Sequence, residues 1–235
     1  MLRVEKVSKH FGGLAAISDV DLHVADSEIL GLIGPNGAGK TTFFNVISGF
    51  LPATSGKVVF NGRDITGLEA HKIARFGMSR VFQASVLFAK ISVLDNVFTG
   101  YHMSYRTSVW KRLLRTQSAV REEEALRQRA LATLEFMGLG ALKDEIAGDL
   151  SHGHQRALGV CLALATNPKL LLLDEPVTGM NPVETETMVG LIRRIRDRGI
   201  TVIIIEHDMK AVMSLCDRLV VLNYGRKIAE VSPRT

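Results

Sequence analysis

The chain has 235 residues, 46% of them hydrophobic and 23% charged, enough for one large domain, or one domain with a sub-domain, around a sizeable core. Its apolar runs all fall short of the roughly 18 residues a membrane span needs, and Met1-Leu2-Arg3-Val4-Glu5-Lys6 lacks the apolar stretch of a signal peptide, so a cytoplasmic location is expected. A net charge of +5 and a pI near 9.4 fit either an anionic partner (nucleotide, nucleic acid, membrane surface) or a general surface property.

Leu2–Val7 and Val20–Val24 alternate apolar and polar residues, as half-buried antiparallel strands do. Lys57–Phe60, followed by the turn pair Asn61-Gly62, adds a third such strand. Phe11, just before Gly12-Gly13, can be read as a ring that stacks on a base or as a core residue at a strand end. Ile29–Ile33 is an apolar run that reads as a buried strand. It leads into Gly34-Pro35-Asn36-Gly37-Ala38-Gly39-Lys40-Thr41-Thr42 and then a helix opening at Phe43. Strand, Gly-rich loop and helix at the spacing G-x-x-x-x-G-K-[ST] form a phosphate-binding loop. Its glycines let the backbone approach a ligand closely, and converging N–H groups with the helix N-terminus attract phosphate oxygens. Lys40 can neutralise the β- and γ-phosphates of a nucleoside triphosphate, and Thr41 can place its hydroxyl on Mg²⁺.

Residues 69–77 read as a short helix and Met78–Phe82 as a strand ending at Gln83. From Ile91 to Gly138 the pattern turns helical, with Ala125, Leu126, Ala130, Leu134 and Met137 at helical spacing and Glu123–Arg127 as an i,i+4 charge pair. Between lies Ser104–Arg121, where Arg106, Lys111, Arg112, Arg115 and Arg121 occur with Trp110 and no acid. It reads as a solvated loop, or as an amphipathic face turned to lipid headgroups or a partner's loops. After Leu150, helix and strand alternate: a helix from about Gly153 to Ala165, then Lys169–Leu173, Pro182–Arg198, Ile200–Ile205, Asp208–Leu215 and Arg218–Leu222. Such alternation argues for a parallel sheet covered by helices, with ligands at its C-terminal strand ends. Cys161 and Cys216 sit in apolar stretches and read as core residues.

The candidate chemistry falls just after strands. Asp174, closing Leu170-Leu171-Leu172-Leu173, can hold Mg²⁺ through water, and Glu175 beside it can deprotonate an attacking water. Leu150-Ser151-His152-Gly153-His154-Gln155 precedes a helix: Ser151 is a good N-cap and Gly153 permits close approach, so this is a second anion cradle. One nucleotide does not need two cradles in one subunit. The economical solution places the second against a γ-phosphate bound by another subunit.

With these motifs the chain resembles, over essentially its whole length, the ATPase subunit of an ABC transporter. Gly34–Thr42 is similar to that family's Walker A, Leu150–His154 to its signature, Leu170–Asp174 with Glu175 to Walker B and the catalytic glutamate, and Val177–Asn181 to the D-loop. The resemblance implies roles for Gln83 as the Q-loop glutamine, His207 as the switch histidine and Phe11 as the adenine-stacking ring. It implies ATP as substrate and Mg²⁺ held by Thr41, Gln83 and Asp174. It also implies catalysis by Glu175, His207 and Gln83, with Ser151 and Gly153 on the ATP of a partner. The expected fold is α/β: a P-loop NTPase core with a mostly parallel sheet, an antiparallel β-subdomain and a helical insertion. Residues 1–83 and 151–235 would form the core and 84–150 the insertion, all within one domain.

Phe11-Gly12-Gly13, Phe82-Gln83 before Leu87-Phe88, the basic stretch, Gly179–Pro182 and Glu206-His207-Asp208-Met209 resemble branched-chain amino acid importers, and the Gln83 context the larger of their two ATPases. The partners so implied are a second ATPase subunit, identical or homologous, a membrane permease and indirectly an external solute-binding protein. The chain would sit peripherally on the inner membrane face. Another importer, or an ABC ATPase acting on nucleic acid or ribosomes, is the alternative. No nucleic acid is expected, because neither a second cassette nor a long coiled-coil insertion is present. Departures are the signature L-S-H-G-H for L-S-G-G-Q, with Gln155 a candidate stand-in for the missing glutamine, and Asn181 where many relatives have Asp. A short helical tail after Thr235 would also be expected.

Overall fold

The computed structural model describes residues 1–82 and 87–233, which fall into two units, Met1–Gln83 with Lys169–Thr235 and Ala84–Pro168. The first unit holds two sheets. The antiparallel one has the order β2-β1-β4-β5, from β1 (Leu2–Phe11), β2 (Leu14–Val24), β4 (Ser55–Phe60) and the two-residue β5 (Arg63–Asp64). The other has the order β10-β9-β3-β8-β7-β6, from β3 (Ile29–Ile33), β6 (Met78–Val81), β7 (Leu170–Asp174), β8 (Thr201–Ile205), β9 (Arg218–Asn223) and β10 (Arg226–Val231). All its pairings are parallel except that of β10 with β9.

Sequence explains the layout. β7 and β8 are buried at every position and β3 at all but the last, as strands covered on both faces must be. β1 and β2 alternate and lie half-buried. Between the sheets Phe43, Phe44 and Ile47 of α1 (Lys40–Ile47) join one apolar cluster with Val4, Ile17, Phe60, Leu32 and Leu172. The remaining helices of this unit are α2 (Ala70–Arg75), α7 (Pro182–Asp197) and α8 (Met209–Leu215).

The second unit contains α3 (Val93–Gly100), α4 (Val109–Leu113), α5 (Gln117–Phe136) and α6 (His152–Ala165). It runs on to Pro168, so 151–168 group with the helices, whereas the sequence reading placed them with the core. Helix-on-helix packing is the reason: α6 lies against α3 and α5. Leu126, Ala130 and Leu134 form the buried stripe of α5, while Ala125 is exposed. The Arg127 guanidinium reaches Asp95 Oδ1 at 3.1 Å, a partner distant in sequence, rather than the expected Glu123. Both cysteines are buried: burial pushes the Cys161 thiol far up and that of Cys216 up to about 12. Among the described residues no helix is long and apolar enough to cross a membrane.

Candidate functional site

The loop from Gly34 to Gly39 leaves β3 in a shape that the sequence dictates. Gly34 has φ of +149°, and a Cβ there would stand 2.1 Å from the carbonyl oxygen of Leu222, so only glycine fits. The loop closes on itself where the Ala38 N–H donates to Pro35 O (3.1 Å). It is braced from outside by the turn between β9 and β10. Gly225 N–H donates to Ala38 O (3.0 Å), and Ser18 N–H of β2 donates to Gly225 O (2.8 Å). Gly39, left-handed, begins α1 with no side-chain cap, so the first N–H groups of the helix keep their capacity for an anion. Its chain neighbours apart, no atom of the described residues lies within 4 Å of where a Cβ at Gly37 would stand, which leaves the loop open there. Pro35, Asn36 and Thr41 are exposed, Thr42 is half-buried and Ala38 is buried.

The buried Lys40 ammonium folds back onto this loop and donates to Gly34 O (2.7 Å) and Pro35 O (3.0 Å). Two carbonyl dipoles thus hold this cation against the loop. Burial lowers its pKa, and the charges of Glu175 and Asp174 oppose that shift. The end of β7 therefore faces the loop. Strand order accounts for the convergence: β3, β8 and β7 are parallel neighbours, and Ile205 at the end of β8 pairs with both Leu32 and Asp174. The chain leaves all three strands at the same edge of the sheet.

Glu175 follows β7 with φ of +51°, unusual for a residue with a side chain. Its N–H donates to Ile205 O (2.9 Å), which fixes the turn. Its carboxylate accepts from Thr178 Oγ1 (3.4 Å) and lies 3.9 Å from Nδ1 of the exposed His207. Lys40, Asp174, Glu175 and His207 thus form one cluster. Phe11 is exposed at the turn of the β1–β2 hairpin, whose second strand braces the loop through Ser18, and the Lys9 ammonium lies 5.1 Å from its ring centre. Gln83 lies outside the described residues.

Thr41 and Asp174 offer hard oxygen donors, the type Mg²⁺ prefers. No group of three or more His, Cys, Asp or Glu among the described residues could hold a metal by itself. A cation here would lean on phosphate oxygens, as Mg²⁺ commonly does.

Sequence reasoning missed the part played by two members of this neighbourhood. Arg80 of β6 donates to Asp174 Oδ2 (2.9 Å) and to Asn45 Oδ1 (2.6 Å), with its guanidinium 4.5 Å from the Phe82 ring centre. A lone base inside the apolar run Met78–Phe82 was the available signal. Glu206 is buried and accepts from the backbone N–H of Val177 (2.9 Å) and of His207 (3.2 Å), tying the loop after β7 to that after β8. Burial raises its pKa against those hydrogen bonds. The native state therefore binds more protons than the unfolded chain between the ordinary carboxylate range and the raised value, and stability falls as pH rises through that window. Glu206→Gln is expected to remove this slope. Urea midpoints at about pH 5 and about pH 8 should then differ less than in the parent, and an unchanged difference would place the titration elsewhere.

In the second unit Ser151 caps α6, accepting from His154 N–H (3.3 Å), with Gly153 buried in the first turn and His152 and His154 exposed. Gln155 does not present a free amide: its Nε2 donates to Leu150 O (3.1 Å) and Gly148 O (3.3 Å), a structural role in place of the expected stand-in. Asn181 also has a local reason. It caps α7, accepting from Val183 and Glu184 N–H groups, while Glu184 accepts from its own N–H, a complete capping box.

Comparison with known proteins bears on this geometry. The family model described as ABC transporter matches residues 17–178. The chain is 39% identical over 234 residues to the high-affinity branched-chain amino acid transport ATP-binding protein BraF of Pseudomonas aeruginosa, a match covering 99% of this chain and 92% of that protein. LivG of Escherichia coli K12, with the same description, matches with the same identity and coverage. Among solved structures, a nucleotide-free ATP-binding cassette from an ABC transporter and an ADP conformation of such a cassette each align with a TM-score of 0.86. Each is 35% identical, over 99% of this chain and 91% of the other.

Proposed function

The chain belongs to the ABC transporter family, and on that premise we propose that it is the ATP-hydrolysing subunit of an importer of branched-chain amino acids. The observation that carries the reading is the cluster of Lys40, Asp174, Glu175 and His207 beside an uncapped Gly-rich loop. In this assignment the N–H groups of residues 34–42 and the Lys40 ammonium bind the phosphates, and the Phe11 ring stacks on adenine. Glu175 takes a proton from the water that attacks the γ-phosphorus, the bond to the bridging oxygen breaks, and ADP leaves. His207 and Lys40 stabilise the charge that develops on the transferred group. Thr41 and Asp174, with Gln83 from outside the described residues, would hold Mg²⁺, which neutralises phosphate charge when bound.

The cradle at Ser151 and Gly153 serves the γ-phosphate of a second ATPase subunit, identical or homologous, so that two ATP molecules close a head-to-tail pair. Residues 84–150, the helical insertion, relay that closure to a membrane permease, which together with an external solute-binding protein chooses the cargo. The chain then works at the inner face of the membrane without crossing it. Supporting the choice of cargo is the identity to BraF and LivG over nearly the full length.

The test is hydrolysis per chain against chain concentration, alongside ATP-driven uptake of leucine by vesicles carrying the permease. Specific activity should rise with concentration as pairs form. Ser151→Arg, which fills the cradle, should abolish both the rise and the uptake. The lost cap costs about 1 kcal/mol, so a melting curve verifies that the variant is folded. Pairing and hydrolysis that survive in a folded Ser151→Arg would remove the cradle from the mechanism.

A further inference from the structure

The helix α4 is built the wrong way round for a protein interior. It buries none of its residues. Val109, Trp110, Leu113 and the capping Leu114 are 67%, 74%, 70% and 75% exposed. At 3.6 residues per turn they cover one face, an arc of about 140°, and Lys111 and Arg112 take the other side. Apolar residues on a helix normally face a core, and here they face out together.

This face is held in place. The carboxylate of Glu122 accepts from the N–H groups of Arg106 (2.8 Å) and Thr107 (3.1 Å) and from the Thr107 hydroxyl, anchoring the chain just before α4. Ser108 caps the helix, and Thr116 Oγ1 donates to Lys111 O (3.2 Å) after it. Arg112 stacks 4.4 Å over the Tyr105 ring, which meets Phe98 edge-on. The ordering of this segment is spent on presenting four large apolar side chains to the outside.

The charge along this segment of the chain is of one sign. From Ser104 to Arg121 there are five bases and no acid, and the nearest acids, Glu122, Glu123 and Glu124, begin only on α5, with Glu122 occupied by the anchor. A short amphipathic helix with Trp and Leu on one side and Lys and Arg at its flanks is suited to lie in the headgroup layer of an anionic bilayer, apolar side chains inward and bases on lipid phosphates.

We propose that α4 with its flanks is a lipid-contact surface that holds this subunit against an anionic membrane directly, without a protein intermediary. The surface lies wholly within the second unit and goes beyond the nucleotide-site reading, so either can fail alone. Trp110 is the only tryptophan in the chain, so its fluorescence reports on this face and nothing else. The full chain is titrated with vesicles of phosphatidylcholine containing about 30% phosphatidylglycerol, and with phosphatidylcholine alone. The expected result is a blue shift of Trp110 emission and quenching by brominated acyl chains with the anionic vesicles. Binding should be roughly tenfold weaker or more for neutral vesicles, and reversed by high salt. Leu113→Ser with Leu114→Ser, and separately Lys111→Gln with Arg115→Gln, should each weaken binding about tenfold or more while leaving ATP hydrolysis by the chain unchanged. No emission change with any lipid, or equal binding by both variants, overturns the proposal. A response that needs permease subunits in the bilayer, and is missing with lipid alone, makes the face a protein-docking site and equally overturns it.

Discussion

Glu175→Gln is expected to lower kcat for ATP hydrolysis about 10²–10⁴-fold, the usual worth of a positioned general base, while nucleotide binding persists. The substitution keeps the shape of the side chain and the backbone that aims it: φ of +51° and the N–H bond to Ile205 O do not depend on the carboxylate. It removes the group proposed to accept the proton of the attacking water. The phosphate contacts of the Gly-rich loop stay in place, so ATP should accumulate uncleaved. A second effect follows from the electrostatics of Lys40. Burial lowers the pKa of this ammonium, and Glu175 is the larger of the two charges that oppose the shift. With Gln at 175 the ammonium loses that support and gives up its proton at a lower pH. Nucleotide affinity should therefore fall at lower pH in the variant than in the parent. Single-turnover hydrolysis and equilibrium binding across alkaline pH check both points, and near-normal turnover would move the base to another residue.

Much of this site could be read before any coordinates, and the reason is topological. Strands such as Ile29–Ile33 and Leu170–Asp174 are apolar at nearly every position, which only a strand buried on both faces requires, and a polar residue just beyond such a strand lies at the sheet's ligand-binding edge. Asp174 and Glu175 were legible for that reason, Lys40 from the spacing of its loop motif, and the role of His207 only through the family resemblance. Elements that bury little left little trace. β10 exposes most of its length as an antiparallel edge, so its mixture of Arg, Lys and Glu with Ile, Ala and Val carries no buried-strand pattern. β5 is two exposed residues. Pairings between distant residues were equally hidden. Arg127 had an acid four residues away, yet it binds Asp95 across two helices. Gln155 stood where a contact to nucleotide was wanted, but two backbone carbonyls before α6 claim its amide. The exposed face of α4 was present as composition, and only the structure turned its apolar side chains outward.

Arg80 carries the other large effect. Its side chain is 5% exposed and that of Asp174 is 9% exposed, so the 2.9 Å contact between them is a buried ion pair. Such a pair adds little to stability when both members are replaced together. Removal of one member strands a charge in a poorly solvated place and costs about 3–5 kcal/mol. Arg80→Met is expected to destabilise the chain by that amount. It takes from the Asp174 carboxylate its hydrogen-bonded guanidinium and from Asn45 Oδ1 the Arg80 donor, while keeping the apolar bulk against Phe82 and Phe44. Asp174→Asn should also destabilise, because the guanidinium then faces a neutral amide. The double variant should lose less than the sum of the two singles, with a coupling of about 0.5–3 kcal/mol, measured by urea unfolding of all four proteins. Additive losses would mean that the two side chains are neighbours without being partners. The pairing also bears on chemistry. Asp174 is the carboxylate assigned to the hydrated cation, and a guanidinium on its Oδ2 fixes the direction in which that carboxylate points. A stable fold in which Arg80→Met alone weakens Mg²⁺-dependent hydrolysis, with rescue by Arg80→Lys, would separate this orienting role from the structural one.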